Sequence, residues 1–275
     1  MKSRSDIIDQ LKGCIHTVFT PFTQAGDIDY DALERYLRYL HDGGARCYYV
    51  MAYNSRYSQM SEAEILALNA FVIKLVKSLD ANHLVIVGDP IHCSTQTSAD
   101  FANHALENGA DLISLIIREK YFSDDQIISH FDEIARQSPI FQLVHEMPFL
   151  SGADGGQMNW PASLFEKLKS VDKIVALKED AKSYDIIDRA LRLEPHIRVV
   201  LAGTKKKLLS YGDKRVQAYL NGISMVAPQL GDIFWDAVQS SDQATIDYLV
   251  NELEAPFFEG LCAKYGWHRS NKSLL

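Results

Sequence analysis

The sequence predicts one domain over residues 1–275, a (β/α)8 TIM barrel with additional C-terminal helices from about residue 229. Short apolar runs alternate with helical patterns about every thirty residues, and eight such units fit along the chain. The length of 275 residues is close to the roughly 250 that one barrel requires. An open, doubly wound sheet is the main alternative fold. It would be unusually long at eight units, and no GxGxxG motif follows the first strand.

The predicted strands are apolar runs that end at glycine, proline or a polar residue. The first ends at Thr20 and Pro21, and the third ends at the turn that begins with Gly88 and Asp89. The sixth is an unbroken apolar run, which is typical of a strand buried on both faces. The predicted strands cover residues 13–22, 47–51, 84–87, 112–117, 140–144, 174–178, 197–201 and 217–220.

The predicted helices carry apolar residues at intervals of three and four. The first follows Asp29 and stops at Gly43, and the second opens with the capping-box pair Ser61 and Glu64. Pro161 stands at the first turn of a later helix, a position that tolerates proline. The other predicted helices cover residues 98–107, 124–136, 161–168, 183–193, 205–211, 232–238 and 242–264.

Composition excludes several classes of protein. The chain is 47% hydrophobic and 23% charged with a formal net charge of −8, which argues against nucleic-acid binding. No apolar run is long enough to span a bilayer, and the first residues lack the apolar core of a secretory signal. The four cysteines form no CxxC pair and no zinc-type spacing. They indicate reduced thiols in a cytoplasmic protein.

The strongest candidate for chemistry is Lys178, which directly follows the apolar run 174–177. Its amine would lie at the end of a buried strand, where desolvation lowers the pKa of a lysine. A neutral amine can attack a carbonyl group and form a Schiff base. The alternative interpretation is a lysine that ends a strand and extends its amine into water.

In a (β/α)8 barrel the active site lies at the carboxyl ends of the strands. His145 follows the fifth predicted strand and would lie beside Lys178, because neighbouring strands are about 4.8 Å apart. Such a histidine could shuttle protons, or it could be a structural residue that caps a strand end. The rule places the following residues at the mouth: Thr20, Tyr53, Asn54, Ser55, Arg56, Asp89, Arg118, His145, Glu146, Lys178, Glu179 and Gly203.

Two groups of polar residues at this mouth are open to different interpretations. Asn54, Ser55 and Arg56 offer an amide, a hydroxyl and a guanidinium that could hold a carboxylate, or they form a solvated loop. Glu179 and Asp180 are expected to cap the following helix rather than act in chemistry. Side chains alternate along a strand, so Glu179 should point away from Lys178.

Several segments resemble the dihydrodipicolinate synthase/N-acetylneuraminate lyase family of class I aldolases, over nearly the whole chain. GCIHTVFTPF is similar to the family's first strand, and DIDYDALERYLRYLHDGGARCYYV to its first helix and second strand. EMPFLSG resembles its Asn-x-Pro turn, in a form nearer to the neuraminate lyases. VALKED resembles the Schiff-base segment, and this resemblance assigns the imine to Lys178. It also implies a homotetramer that acts on pyruvate or a related 2-oxo acid.

The chain also departs from the family pattern. The Gly-Thr-Thr-Gly-Glu loop that binds the carboxylate corresponds to residues 52–56, which lack both threonines and both glycines. His145 replaces the family's proton-shuttling tyrosine, and Glu146 replaces the asparagine of the turn. Leu150 replaces the arginine of the synthases. A lysine-biosynthesis synthase or a conventional neuraminate lyase is therefore not expected.

Three functions are consistent with these observations. The leading hypothesis is a Schiff-base lyase or aldolase for a 2-oxo acid or sugar-acid-like substrate, with Lys178 and His145 as catalytic residues. Tyr53, Asn54, Ser55, Arg56, Glu146 and Gly203 are the candidate substrate-binding residues. The alternatives are a dehydratase or hydratase that uses the same imine, and a catalytically silent barrel that binds a sugar-like ligand. We expect no metal or organic cofactor, no nucleic acid or membrane partner, and a homo-oligomer, either a tetramer or a dimer.

Overall fold

The computed structural model describes residues 2–117, 122–147, 159–181, 183–211, 215–220 and 222–275. Eight parallel strands form a closed barrel in chain order, and Gly13 of the first strand lies opposite Ala218 of the last. The predicted (β/α)8 barrel is therefore confirmed. The strands are β1 (Gly13–Thr17), β2 (Cys47–Val50), β3 (Leu84–Gly88), β4 (Leu112–Ile116), β5 (Phe141–Glu146), β6 (Ile174–Glu179), β7 (Arg198–Leu201) and β8 (Ala218–Leu220).

Helices surround the barrel and continue beyond its last strand. The helices up to β8 are α1 (Arg4–Gln10), α2 (Tyr30–Asp42), α3 (Glu62–Leu79), α4 (Thr95–Asn108), α5 (Asp124–Gln137), α6 (Ala162–Leu168), α7 (Tyr184–Leu191) and α8 (Lys205–Leu209). The predicted C-terminal helices are present as α9 (Gln229–Ser240), α10 (Gln243–Asp247), the π-helical segments Tyr248–Glu254 and Pro256–Cys262, α11 (Ala263–Tyr265) and α12 (Trp267–Leu274). Within the described ranges, no helix combines the length and apolarity that crossing a bilayer requires.

The inside of the barrel is a packed apolar core. Ile15, Tyr49, Ile86 and Leu143 point inward from four different strands, and each is fully buried. Ile7 of the unpredicted helix α1 and Leu11 directly after it belong to the same cluster, so this segment closes the amino-terminal end of the barrel. The active site of such a barrel lies at the opposite end, where the strands finish.

A β-bulge sets the register between β5 and β6, the strands that carry His145 and Lys178. Gln142 of β5 lies opposite Ile174 of β6, but the next residue, Leu143, lies opposite Ala176. The extra residue in β6 is therefore Val175, and beyond it His145 lies opposite Lys178. Bulges change which side chains share a face of a sheet, and they often occur next to active sites.

The first strand is shorter than predicted. The sequence predicts a strand over 13–22, but β1 ends at Thr17. The chain then leaves the barrel, and Phe22 forms an isolated antiparallel bridge with Ile28. Thr17, rather than Thr20, is thus the polar residue that β1 presents at the barrel mouth.

Candidate active site

Lys178 occupies the predicted position at the end of β6. Its side chain is only 1% exposed, and it borders a cavity of about 250 Å³ at the carboxyl ends of the strands. The Nζ atom lies 2.7 Å from Nε2 of His145 on β5. The structure therefore brings together the two residues that the sequence predicts to be catalytic.

Asp180 contacts both residues of this pair, a contact that the sequence did not predict. Its Oδ2 atom contacts the Nζ of Lys178 and lies 2.9 Å from Nε2 of His145. The expectation that Asp180 caps the following helix is wrong, since α7 begins after Ser183. Strand alternation explains the geometry, because residues 178 and 180 lie on the same face.

Burial and neighbouring charges set the protonation of this group. Burial lowers the pKa of His145 to about 4, and the nearby Lys178 cation acts in the same direction. Burial alone would raise the pKa of Asp180, but Lys178 and His145 outweigh it and hold that pKa well below its ordinary value. At neutral pH the imidazole is therefore neutral and Asp180 is a carboxylate.

The cavity beside Lys178 is lined mainly by apolar and aromatic side chains. Two of these belong to the C-terminal helices: Phe258 and Trp267 stack with their ring centroids 5.6 Å apart. The indole of Trp267 donates a 3.3 Å hydrogen bond to Oδ1 of Asn54. The described lining residues are Thr17, Met51, Tyr53, Asn54, Met147, Lys178, Asp180, Ala202, Gly203, Leu220, Gly222, Phe258 and Trp267.

The loop after β2 reaches the cavity with only some of its predicted residues. Tyr53 and Asn54 line it, and Asn54 donates a 2.8 Å hydrogen bond to the hydroxyl of Thr17. Ser55 does not line it, since its buried hydroxyl donates to the carbonyl of Val18 at 2.7 Å. Arg56 adopts a left-handed backbone with φ of 63°.

The side chain of Arg56 also lies away from Lys178. Its guanidinium donates to Oε1 of Gln59 at 3.3 Å, and its charge acts on His268 and Lys272. Arg56 is not among the described residues that line the cavity. Anion binding by Arg56 stays a prediction that these contacts do not support.

Glu146 and Glu179 face the outer side of the barrel. Glu146 accepts a hydrogen bond from the backbone N–H of Trp160, and Glu179 accepts one from the N–H of Ala181. Burial raises the pKa of Glu146 above its ordinary value, and the neighbouring Glu179 raises it further. Glu179 points away from Lys178 as predicted, but Glu146 does not line the cavity.

Gly203 does line the cavity, and its backbone conformation explains why a glycine stands at this position. Its φ is 134°, and a Cβ atom there would lie 2.8 Å from Cδ of Lys207. The ammonium of Lys207 donates to the carbonyls of Ala181 and Ala202 at 2.7 and 3.3 Å. A side chain at residue 203 would therefore disturb the loops that end β6 and β7.

The remaining residues predicted at the mouth lie elsewhere. Thr20 is buried outside the cavity, and its carbonyl accepts a hydrogen bond from Lys272. Asp89 lines a separate cavity of about 760 Å³ between α4 and α5. Arg118 and Leu150 lie outside the described residues. Among those that are described, no group of three or more His, Cys, Asp and Glu side chains is arranged to hold a metal ion.

Comparison with known proteins points to one family. Residues 10–268 match the sequence model of the Dihydrodipicolinate synthetase family. The 4-hydroxy-tetrahydrodipicolinate synthase of Staphylococcus saprophyticus is 26% identical over 226 residues, which are 81% of this chain and 73% of that protein.

Solved structures share the fold at lower sequence identity. Dihydrodipicolinate synthase from Oceanobacillus iheyensis superposes with a TM-score of 0.79 at 16% identity, covering 99% of this chain and 88% of that one. N-acetylneuraminate lyase from Mycoplasma synoviae gives a TM-score of 0.78 at 18% identity, covering 97% and 86%. At these identities the likeness shows the barrel architecture alone.

Proposed function

Because the chain belongs to the dihydrodipicolinate synthetase family, we propose that it is a Schiff-base-forming lyase that acts on a 2-oxo acid or sugar-acid-like substrate. One observation carries the proposal: the amine of Lys178 borders a cavity and lies 2.7 Å from a neutral imidazole. A lysine nucleophile with an adjacent base is the arrangement that imine chemistry requires.

The reaction begins with transfer of a proton from the Lys178 ammonium to Nε2 of His145. The neutral amine attacks the substrate carbonyl carbon, and the carbonyl oxygen receives the proton from His145 to give a carbinolamine. The carbinolamine nitrogen then passes a second proton, again through His145, to the hydroxyl, and water leaves to give an iminium ion. Ammonium and ketone have thus become iminium and water, with the positive charge conserved. The iminium then accepts the electrons of the bond between its α-carbon and the hydroxyl-bearing carbon beyond it. That hydroxyl gives its proton to His145, so an aldehyde leaves and an enamine remains on Lys178. No metal or organic cofactor is needed for this step.

We propose that the substrate contacts Tyr53, Asn54 and Gly203, which line the cavity. The size of the cavity favours a substrate whose chain beyond the carbonyl is short, since about 250 Å³ is small for a ligand site. Ser55, Arg56 and Glu146 were predicted to bind substrate, but their described contacts lie outside this cavity. We also expect a homo-oligomer, which the molar mass measured by light scattering tests.

Borohydride trapping tests the proposal directly. The protein is incubated with pyruvate and with longer 2-oxo sugar acids in the presence of borohydride, and the intact mass and peptide map are recorded. We expect a reduced adduct on Lys178 that is absent from Lys178→Ala. Lys206→Ala is the matched control, because Lys206 is a nearby lysine on α8 that is exposed. The assignment is overturned if none of the 2-oxo acids gives an adduct, or if the adduct forms on another lysine.

A further inference from the structure

Three atoms at the barrel mouth form a closed triangle. Nε2 of His145 lies 2.7 Å from Nζ of Lys178 and 2.9 Å from Oδ2 of Asp180, and that same Oδ2 contacts Nζ. The side chains of Lys178, His145 and Asp180 are 1%, 2% and 10% exposed, so bulk water screens this group poorly. A buried charge is costly unless an opposite charge or hydrogen bonds compensate it.

The triangle admits two protonation arrangements with the same total charge. In one, Lys178 is an ammonium and donates to a neutral His145. In the other, the proton has moved to Nε2, which leaves a neutral amine beside an imidazolium. One carboxylate oxygen lies within contact distance of the cation in both arrangements, so the transfer changes no net charge.

We propose that Asp180 is the counter-ion of the reacting nitrogen, staying ionised and pairing in turn with the ammonium, the imidazolium and the iminium. Each step keeps one positive and one negative charge in the triangle. Two protons pass in turn from Nζ through Nε2 to the substrate oxygen, and both depart with the water lost from the carbinolamine. This inference rests on the proposed function for its last partner, the iminium, but not for the first two.

Neighbouring elements offer no equivalent anion among the described residues. Glu179 is adjacent in sequence but faces the outer layer, where it hydrogen-bonds the N–H of Ala181. Glu146 lies beside Glu179 on that outer side, and Tyr49 of β2 directs its hydroxyl to Ser114 at 2.5 Å. Asp180 acts electrostatically on all three groups, but none of them contacts Nζ in the described structure.

The test compares Asp180→Asn with Glu179→Gln, which neutralises the adjacent buried carboxyl on the opposite face. The first readout is carbamylation of Lys178 by cyanate across a pH series, measured by peptide mapping. Cyanate is small enough for the cavity, and it reacts with the neutral amine alone. Without its counter-ion the ammonium is less stable, so the Asp180→Asn profile should move to lower pH. The Glu179→Gln profile should match wild type.

The second readout is the fraction of protein that borohydride traps with the best 2-oxo acid. Asp180→Asn should lower it on the order of tenfold or more, because the iminium also loses its counter-ion. Asp180→Glu should restore part of it. A purely structural role would lower both cyanate reactivity and trapping, whereas the proposal requires the amine to react at lower pH while trapping falls.

The two readouts separate this inference from the proposed function. A shifted cyanate profile in a protein that forms no imine supports the counter-ion and refutes the lyase. Normal trapping with an unshifted profile refutes the counter-ion and leaves the lyase standing. If Asp180→Asn does not fold, Asp180→Ser provides the same neutralisation with a smaller side chain, and circular dichroism verifies its fold.

Discussion

The imidazole of His145 and the amine of Lys178 face each other directly across β5 and β6, with Nε2 and Nζ 2.7 Å apart. The bulge at Val175 creates this pairing, since an unbroken register would place Leu177 opposite His145. The base and the nucleophile are therefore held in contact by the backbone of the barrel. Catalytic groups fixed on strands need little reorganisation before reaction.

Replacing His145 by glutamine should slow imine formation without abolishing it. Glutamine keeps a polar group at this position but cannot accept a proton from Lys178, and loss of a general base typically costs roughly 10² to 10⁴ in rate. The initial rate of borohydride-trapped adduct formation measures the effect. His104→Gln on α4 is the control and should react at the wild-type rate. Near wild-type rates in His145→Gln would make His145 a structural residue at a strand end.

The acid limb of the activity should lie near pH 4. The sequence alone suggests a limb between about 6 and 7, from the ordinary pKa of imidazole. Burial and Lys178 lower the pKa of His145 to about 4, so the imidazole remains neutral and able to accept a proton down to that pH. A profile of kcat/KM against pH checks this. A limb at pH 6 to 7 that disappears in His145→Gln would show that His145 titrates normally.

The sequence predicts the fold and the nucleophile because both leave local signals. An apolar run that ends in lysine indicates a buried strand with its amine at the rim, and β6 has this form. His145 follows from the adjacency of the fifth and sixth strands. Asp180 was within reach of the same reasoning, because alternation places residues 178 and 180 on one face.

Other parts of the site leave no such signal. The bulge at Val175 depends on how β6 packs inside the closed barrel, and no glycine or proline marks it. Trp267 reaches the cavity from α12, more than two hundred residues from Asn54 in sequence, and its hydrogen bond depends on tertiary packing. The left-handed backbone of Arg56, with φ of 63°, likewise leaves no signal in the sequence.

Replacing Trp267 by alanine should weaken substrate binding more than it slows chemistry. The indole covers the cavity, stacks on Phe258 and hydrogen-bonds Asn54. Loss of the indole from the cavity wall, and of the hydrogen bond that holds Asn54, should raise KM roughly two- to tenfold if the lost contact with substrate is of the order of one hydrogen bond, about 0.5–1.5 kcal/mol, with kcat changed less. The wider cavity should also accept longer 2-oxo acids. Steady-state kinetics with a series of chain lengths measures both effects.

Tyr265→Ala is the matched control for Trp267→Ala. Tyr265 lies two residues earlier in the C-terminal helices and is 47% exposed, so its removal should leave KM unchanged. An equal rise of KM in both variants would indicate a general loosening of these helices. An unchanged KM in Trp267→Ala would mean that the indole does not cover bound substrate.

Replacing Glu146 by glutamine should stabilise the protein increasingly as the pH rises. The pKa of Glu146 is raised by burial and by Glu179, so the carboxyl is protonated in the folded state at neutral pH. In the unfolded chain it ionises above about 4.3. Above that pH the folded state binds more protons than the unfolded state, and stability falls as pH rises until the folded pKa is reached. Glutamine does not titrate and keeps the shape and a hydrogen-bond donor.

Urea unfolding at pH 5, 7 and 9 measures this difference between Glu146→Gln and wild type. One proton changes the free energy of unfolding by at most about 1.4 kcal/mol per pH unit, so the gain should be small at pH 5 and larger at pH 9. Glu107→Gln on α4 provides the control for loss of a carboxylate and should show no such trend. A pH-independent difference in Glu146→Gln would mean that Glu146 is ionised in the folded barrel. Its charge would then need a partner other than Glu179.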